Sequence, residues 1–251
     1  MITQVALLLL HSSAYILHTY SHASRRPRHG QSSARGRVKT RLVPPLSGAD
    51  AATLAACFAQ DAVANARRAA LQVIVAYAPD DASRTLEELL PDKDLLWIKQ
   101  RGADLGARMT AAALDATARR FNPLIITGTD SPTLPASFIE TAIDSLAANE
   151  SDLALAPTDD GGYCLIGFRQ YPNHLFQNIR WSTPLAYGQT AENAARLKLR
   201  LLTLPRWYDV DTYSDLLRLR DEIFSDEAAR ERAPFTHQWL LAHDKLLTKM
   251  S

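Results

Sequence analysis

The chain predicts an α/β fold built on a mostly parallel sheet with helices on both faces. Three observations carry that prediction. Short apolar runs alternate with longer stretches of helical periodicity from Leu71 to Phe224. The runs Leu-Ile-Ile-Thr at 124–127 and Leu-Ala-Leu-Ala at 153–156 lack the polar alternation of a half-exposed strand, as expected for strands buried on both faces. Each run is followed by acidic residues beside Pro or Gly, Asp130 with Pro132 and Asp159-Asp160 with Gly161-Gly162. This is how a buried strand delivers carboxylates to the sheet edge where α/β folds bind ligands.

In chain order, Val5–Leu10 reads as the first strand, and the polar, basic stretch from about His22 to Ala34 as structureless. Ala49–Arg68 is alanine-rich with Leu54, Phe58 and Val63 at helical spacing, so it reads as a helix. Leu71–Tyr77 is a strand, Ala82–Leu90 a helix opened near Asp81, Leu95–Lys99 a short strand and Asp104–Phe121 a long helix. Leu124–Thr127 is a buried strand, Pro135–Ala148 a helix that opens with Pro, and Asp152–Ala156 a further strand. Tyr163–Phe168 and Leu199–Leu204 read as strands, Thr212–Phe224 and Pro234–Lys249 as the closing helices. There is no internal repeat and no interdomain linker.

At 251 residues, with 47% hydrophobic and 22% charged side chains, the chain can bury a full core as one large domain. Cys57 and Cys164 have no spacing suited to zinc or a redox pair and read as buried small residues in a reducing, cytoplasmic setting. No acidic residue precedes Asp50, whereas residues 1–49 carry seven Arg or Lys. The basic end is therefore local, with no nucleic-acid-binding face spread over the fold. Val5–Leu10 is far too short to span a bilayer.

Gly-Arg-Val-Lys-Thr-Arg-Leu at 36–42, if extended, puts Arg37, Lys39 and Arg41 on one side, three cations suited to a di- or triphosphate. It lacks the spacing of a P-loop. Asp130 follows its strand directly and is a carboxylate that Mg²⁺ could use alongside water and substrate phosphates. Asp159-Asp160-Gly161-Gly162 reads as a turn whose glycines also permit close approach of a ligand, with Tyr163 offering a ring face. Asp209 and Asp211 flank Val210, so an extended segment points both the same way. Asp211, just before the following helix, is the better ligand candidate. Thr212 with Asp215 resembles a capping box, which makes Asp215 structural. The loop around Gln100, Gly102, Asp104, Gly106 and Arg108 carries donors and acceptors that could read a nucleobase edge. Trp181-Ser182-Thr183 could pack or bind ligand. The seven His show no metal-ligand spacing, and no nucleophile elbow is present.

Taken together, Gly-Arg-Val-Lys-Thr-Arg-Leu, Ala-Asp-Leu-Gly-Ala-Arg-Met, Gly-Thr-Asp-Ser-Pro-Thr-Leu, Pro-Thr-Asp-Asp-Gly-Gly-Tyr, Trp-Ser-Thr and Trp-Tyr-Asp-Val-Asp-Thr resemble one family in order and spacing, over about residues 36–220. It is the radical-SAM/selenodomain-associated transferase family, or domain of unknown function 2064, a bacterial group with a glycosyltransferase-A, nucleotide-diphospho-sugar transferase-like fold. The resemblance implies a three-layer α/β/α domain that binds a nucleotide or nucleotide-sugar donor at its sheet edge and transfers a nucleotidyl or glycosyl group to a small acceptor. It implies Mg²⁺ or Mn²⁺ held by Asp130 and Asp211, and phosphates held by Arg37, Lys39 and Arg41. Gln100, Gly102, Asp104, Gly106 and Arg108 would lie near the base. Asp160, Gly161, Gly162 and Tyr163 would line the acceptor side, and Asp130, Lys39 and Asp160 would be the catalytic set. A nucleotide-binding protein that keeps the fold without turnover is the alternative.

The departure is at the start. The family runs from its first strand through a Lys-x-Pro-x-x-Gly turn into the basic loop, whereas this chain has Gln31, Ser33 and Gly36 at those places. Residues 1–34 therefore read as an atypical segment, an insertion or a misassigned start, ahead of a single domain at 35–251.

Overall fold

The computed structural model describes residues 39–69, 72–78 and 83–248, together with the backbone of residues 6–10. Among them, seven strands form one sheet in the order β3-β2-β1-β4-β6-β5-β7. The strands are β1 (Ala6–Leu10), β2 (Gln72–Tyr77), β3 (Leu96–Lys99), β4 (Leu124–Gly128), β5 (Leu153–Pro157), β6 (Tyr163–Phe168) and β7 (Leu201–Thr203). Only β6 is reversed, pairing antiparallel with both β4 and β5, while the other contacts are parallel. The fold is the expected α/β class with a mostly parallel sheet. β1 lies between β2 and β4, and the order turns back there, so the switch point that binds ligands in such sheets falls at the C-terminal ends of β1 and β4.

Alternation along the strands builds two cores. Val73, Val75, Ile125, Ala154, Ala156 and Leu165 face helices α1 (Gly48–Ala69), α2 (Ser83–Leu89) and α4 (Ala136–Ala147). Ile74, Ala76, Ile126, Leu155, Ile166 and Phe168 face α3 (Leu105–Ala118) and α5 (Ala186–Arg196). A third cluster joins the far side of α1, through Leu54 and Phe58, to α6 (Tyr213–Ser225), α7 (Glu227–Arg232) and α8 (Pro234–Thr248). No helix among the described residues is long and apolar enough to cross a membrane.

Two helices were not legible in the sequence. The buried positions of α5 are Ala186, Thr190, Asn193 and Ala194, a small and polar inward face with no apolar period to read. α7 has six residues and buries only Ala229. The expected strand over 199–204 shortens to Leu201–Thr203. The capping box of α6 is formed as expected, with Thr212 and Asp215 bonded to one another's backbone.

The C-terminal helix is fastened by Asp61. This fully buried carboxyl on α1 accepts hydrogen bonds from Phe235 N, Thr236 N and Thr236 Oγ1 at 3.0, 2.9 and 2.6 Å. Burial pushes its pKa up to about 6, against the opposing pull of these bonds and of Arg68. The folded state thus binds the proton more tightly than the unfolded chain. The stability that Asp61 contributes is fully present below the ordinary carboxyl pKa near 4 and is lost as pH rises through about 6. Urea unfolding of wild type and Asp61→Asn should show the variant's deficit shrinking by about 2 kcal/mol between pH 4 and pH 7. A deficit that does not change with pH would mean that the carboxyl is not strained by burial.

Candidate active site

The C-terminal ends of the strands open on a cleft of about 480 Å³. One wall is the β3–α3 connection, contributing Gln100, Asp104, Leu105, Arg108 and Met109. The floor is Ile126, Thr127, Gly128, Asp130, Cys164 and Ile166, and the far wall is Tyr163, Trp181, Ser182 and Asp209. Gln100 is held in register by its own backbone, which donates to Tyr77 O at 2.8 Å, and by its side-chain amide, which donates to Ala76 O at 2.8 Å. Asp104 caps α3 by accepting from Ala107 N at 2.8 Å while standing on the cleft rim.

The three acidic loops converge. The segment after β7 runs beside β5, with Trp207 N donating to Pro157 O, then crosses to β4, where Val210 N donates to Asp130 O, both at 2.9 Å. Tyr208 donates to Glu222 on α6 and lies under the Arg218 guanidinium, 3.9 Å from the ring centroid. Val210 is fully buried, so Asp209 and Asp211 project the other way, as the alternation required. They diverge in partner. Asp211 faces Lys39, whereas Asp209 enters the cleft and accepts a 2.5 Å hydrogen bond from Ser131 Oγ. Burial, joined by the charges of Asp130, Asp211 and Asp160, pushes the Asp209 carboxyl up to about 7 although Ser131 opposes this.

Lys39 occupies the junction. Its Nζ lies 2.9 Å from Asp130 Oδ1, 3.0 Å from Asp211 Oδ1 and 2.6 Å from Val210 O, with 6% of its side chain exposed. Burial alone would lower its pKa, but the two carboxylates outweigh it and hold the ammonium above the ordinary lysine value. From Lys39 onward the segment is not extended. Lys39 has φ 48° and starts a 3₁₀ turn over Thr40–Leu42 whose Leu42 is buried in the third core. Lys39 and Arg41 therefore do not share one side by strand alternation, and Arg41 is exposed. Arg37 lies outside the described residues.

Of the residues singled out in the sequence, Gln100, Asp104, Arg108, Asp130 and Tyr163 line the cleft, while Lys39 and Asp211 stand behind Asp130. Asp209, Trp181 and Ser182 line it too, whereas Asp160 and the four glycines of these loops are not among the lining residues. Asp160 Oδ1 accepts from Thr158 Oγ1 at 2.6 Å and Gly162 N at 3.0 Å, closing the β5–β6 turn on itself. Gly161 has φ 87°, and a Cβ there would lie 2.3 Å from Pro184 O. Gly162 has Thr158 Oγ1 at 3.1 Å from such a Cβ. Gly102, at φ 139°, backs onto Ala107 and Arg108, and a Cβ on Gly106 would lie 2.8 Å from the Trp181 ring. At each of these glycines an added Cβ would meet protein atoms.

Sequence reasoning weighed Asp209 but ranked Asp211 above it, left out Ser131 and did not decide on Trp181. Asp209 and Ser131 flank called residues in the same motifs, so their signal was present. Trp181 is set by the 169–185 connection, whose course has no periodic signature. Tyr171 there bonds Thr110 on α3 at 2.6 Å, and Asn193 on α5 donates to Leu175 O and Gln177 O, both at 2.8 Å. Tyr171, Phe176, Trp181 and Tyr163 then form a run of ring contacts with centroids 5.8–6.4 Å apart.

As a donor set, Asp130 and Asp211 are hard carboxylate oxygens of the kind Mg²⁺ or Mn²⁺ accepts in ones and twos beside substrate phosphates. Among the described residues no group of three or more His, Cys, Asp or Glu could hold a metal by itself. The pair fits a metal completed by water and donor oxygens, not a closed protein cage.

Comparison with known proteins agrees with this fold. A family profile described as uncharacterized protein conserved in bacteria (DUF2064) matches residues 58–183, half of the chain. The crystal structure of a candidate nucleotide-diphospho-sugar transferase from Desulfovibrio desulfuricans G20 is similar with TM-score 0.81 and 28% identity, covering 98% of each chain. A cytidylyltransferase from Leptospira borgpetersenii shares the fold with TM-score 0.52 and 11% identity over 98% of this chain and 97% of the other. The inositol-1-phosphate CTP transferase of T. maritima does so with TM-score 0.52 and 11% identity over 93% and 96%. No curated protein matches.

The packing of Gly106 gives a direct test of the cleft wall. Gly106→Ala should lower stability by about 1–3 kcal/mol, because the Trp181 indole and Phe176 Cβ, 2.8–3.1 Å from the added atom, must move. Urea unfolding and tryptophan fluorescence would both register it. Unchanged stability and emission would show that the indole is not packed on α3.

Proposed function

The chain belongs to the DUF2064 family, and from that membership and the converged cleft we propose that it is a metal-dependent transferase with a nucleotide donor. The leading reaction is transfer of a nucleotidyl group from a nucleoside triphosphate to a small acceptor, with release of pyrophosphate. The observation that carries it is the meeting of Asp130, Asp209, Asp211 and Lys39 at one end of a cleft whose opposite wall is the Gln100–Arg108 connection. That pairing of a charged end with a donor-and-acceptor wall suits a ligand with phosphates at one end and a base at the other.

In this reading Gln100, Asp104 and Arg108 border the base, and Arg37, Lys39 and Arg41 serve the phosphates. Asp130 and Asp211 hold Mg²⁺ or Mn²⁺. Bound there, the ion would neutralise charge that develops on the leaving pyrophosphate. Tyr163 and Trp181 form the acceptor wall, and Asp209, fixed by Ser131, is the carboxylate placed to take the acceptor's hydroxyl proton. Asp160, Gly161 and Gly162 support that wall through the β5–β6 turn. The protein's part is chiefly to align donor and acceptor in a pre-formed cleft.

A second reading is glycosyl transfer from a nucleotide sugar with release of a nucleoside diphosphate. It is favoured by the nucleotide-diphospho-sugar transferase designation of the 28% identical relative. Isothermal titration calorimetry with nucleoside triphosphates and nucleotide sugars, with Mg²⁺ and then with EDTA, decides between the two. Metal-dependent binding of a triphosphate is expected, weakened at least tenfold in Asp130→Asn. Binding of nucleotide sugars alone would select the second reading. Metal-independent binding, unchanged in Asp130→Asn and without product, would make the protein a nucleotide-binding module without turnover.

A further inference from the structure

We infer that Lys39 is an internal competitor for the divalent ion: its ammonium holds the two carboxylate oxygens that would bind the metal, and it must leave before the metal can. The inference rests on the reading of Asp130 and Asp211 as the metal-holding pair.

Donor accounting makes the case. An ammonium has three N–H donors and no acceptor. All three of Lys39's are matched by acceptors, Asp130 Oδ1 at 2.9 Å, Asp211 Oδ1 at 3.0 Å and Val210 O at 2.6 Å. In this arrangement Lys39 cannot also grip a phosphate, so its observed partners and its proposed substrate role exclude one another. A Mg²⁺ ion binds oxygens at about 2.0–2.1 Å. An ion chelated by the same two oxygens would sit against Nζ, a like charge on a side chain that is 6% exposed, beside aspartates 24% and 43% exposed.

The local chain allows an exchange. Leu42 anchors the 3₁₀ turn in the core, whereas Lys39 reaches the carboxylates with a flexible four-carbon stem. Released from the pair, the ammonium needs a new anion, and donor phosphates arriving beside Asp130 would supply one. Lys39 therefore couples the two events. It disfavours metal without donor and gains a partner when both are present, so that the carboxylates stay neutralised in every state.

The test is Mn²⁺ titration of the full chain by calorimetry, without nucleotide. Lys39→Met should bind Mn²⁺ at least tenfold more tightly than wild type, while Lys39→Arg, which keeps the charge, should gain nothing. A role limited to packing would move both variants alike. Because loss of the lysine leaves two carboxylates facing each other, thermal melts with and without Mn²⁺ accompany the titration, and Mn²⁺ should raise the melting temperature of Lys39→Met more than that of wild type. Wild type alone supplies a further readout. Acetic anhydride should label Lys39 poorly in metal-free protein and several-fold more with Mn²⁺, by peptide mass spectrometry. Equal Mn²⁺ affinity in wild type and Lys39→Met, or Lys39 labelling unchanged by Mn²⁺, overturns the competition but leaves the metal-holding pair intact. Absence of Mn²⁺ binding in both proteins overturns the pair as well.

Discussion

Because both faces of the central sheet are covered by helices, its strands have few places for a charged side chain along their length. β5 is buried at every position from Leu153 to Pro157, and β4 is buried until its last residue, Gly128. A carboxylate on such a strand would be desolvated with no partner, at a cost far above that of a turn at the strand end. Asp130, Asp160 and the Asp209–Asp211 pair are therefore confined to the same edge by burial, before any catalytic requirement is considered. The backbone bond from Val210 to Asp130 then turns proximity into a fixed geometry, since it locks the loop after β7 against the loop after β4.

Confinement creates an electrostatic problem that the same loops resolve. Burial, and after it the charges of Asp130, Asp211 and Asp160, push the Asp209 carboxyl up to about 7. Asp130 and Asp211 share Lys39, whose ammonium stands between them. A buried cation between two carboxylates adds little net stability over an apolar cluster, yet removal of one member is expensive because the others remain charged. The arrangement is better suited to holding two oxygens in place than to stabilising the fold. That burden falls instead on the three apolar clusters and on ties such as Asp61 to Thr236.

What could be read from the sequence follows from how local each signal is. The strands and the large amphipathic helices were legible because burial on two faces leaves an apolar run and burial on one leaves a 3.6-residue period. The acidic turns were legible because Asp beside Gly or Pro ends a strand. α5 was not, since Ala186, Thr190, Asn193 and Ala194 form its inward face. Nor was the conformation around Lys39. Alternation placed Lys39 and Arg41 together, but a left-handed residue leading into a 3₁₀ turn cancels a two-residue period. The glycines of 102, 106, 161 and 162 were recognisable as places of close approach. Which surface approached, ligand or protein, depends on residues such as Trp181 and Pro184 that are distant in sequence, and no local pattern encodes that.

The 169–185 connection shows how much of the cleft is set by such distant contacts. It leaves β6 at the far end of the sheet and returns along α3 to place Trp181 and Ser182 at the cleft. Chain entropy opposes order in a connection this long. It is held by a polar grip on one side, Asn193 donating to Leu175 O and Gln177 O, and by the ring contacts from Tyr171 through Phe176 to Trp181 on the other. Gly106 closes the arrangement by letting the indole rest on the first turn of α3. The distance between the two walls is thus fixed by packing among Trp181, Phe176 and Gly106 and not by the residues that would touch a donor. It follows that altering this connection would reshape the cleft while Asp130, Asp209 and Asp211 stay at the sheet edge.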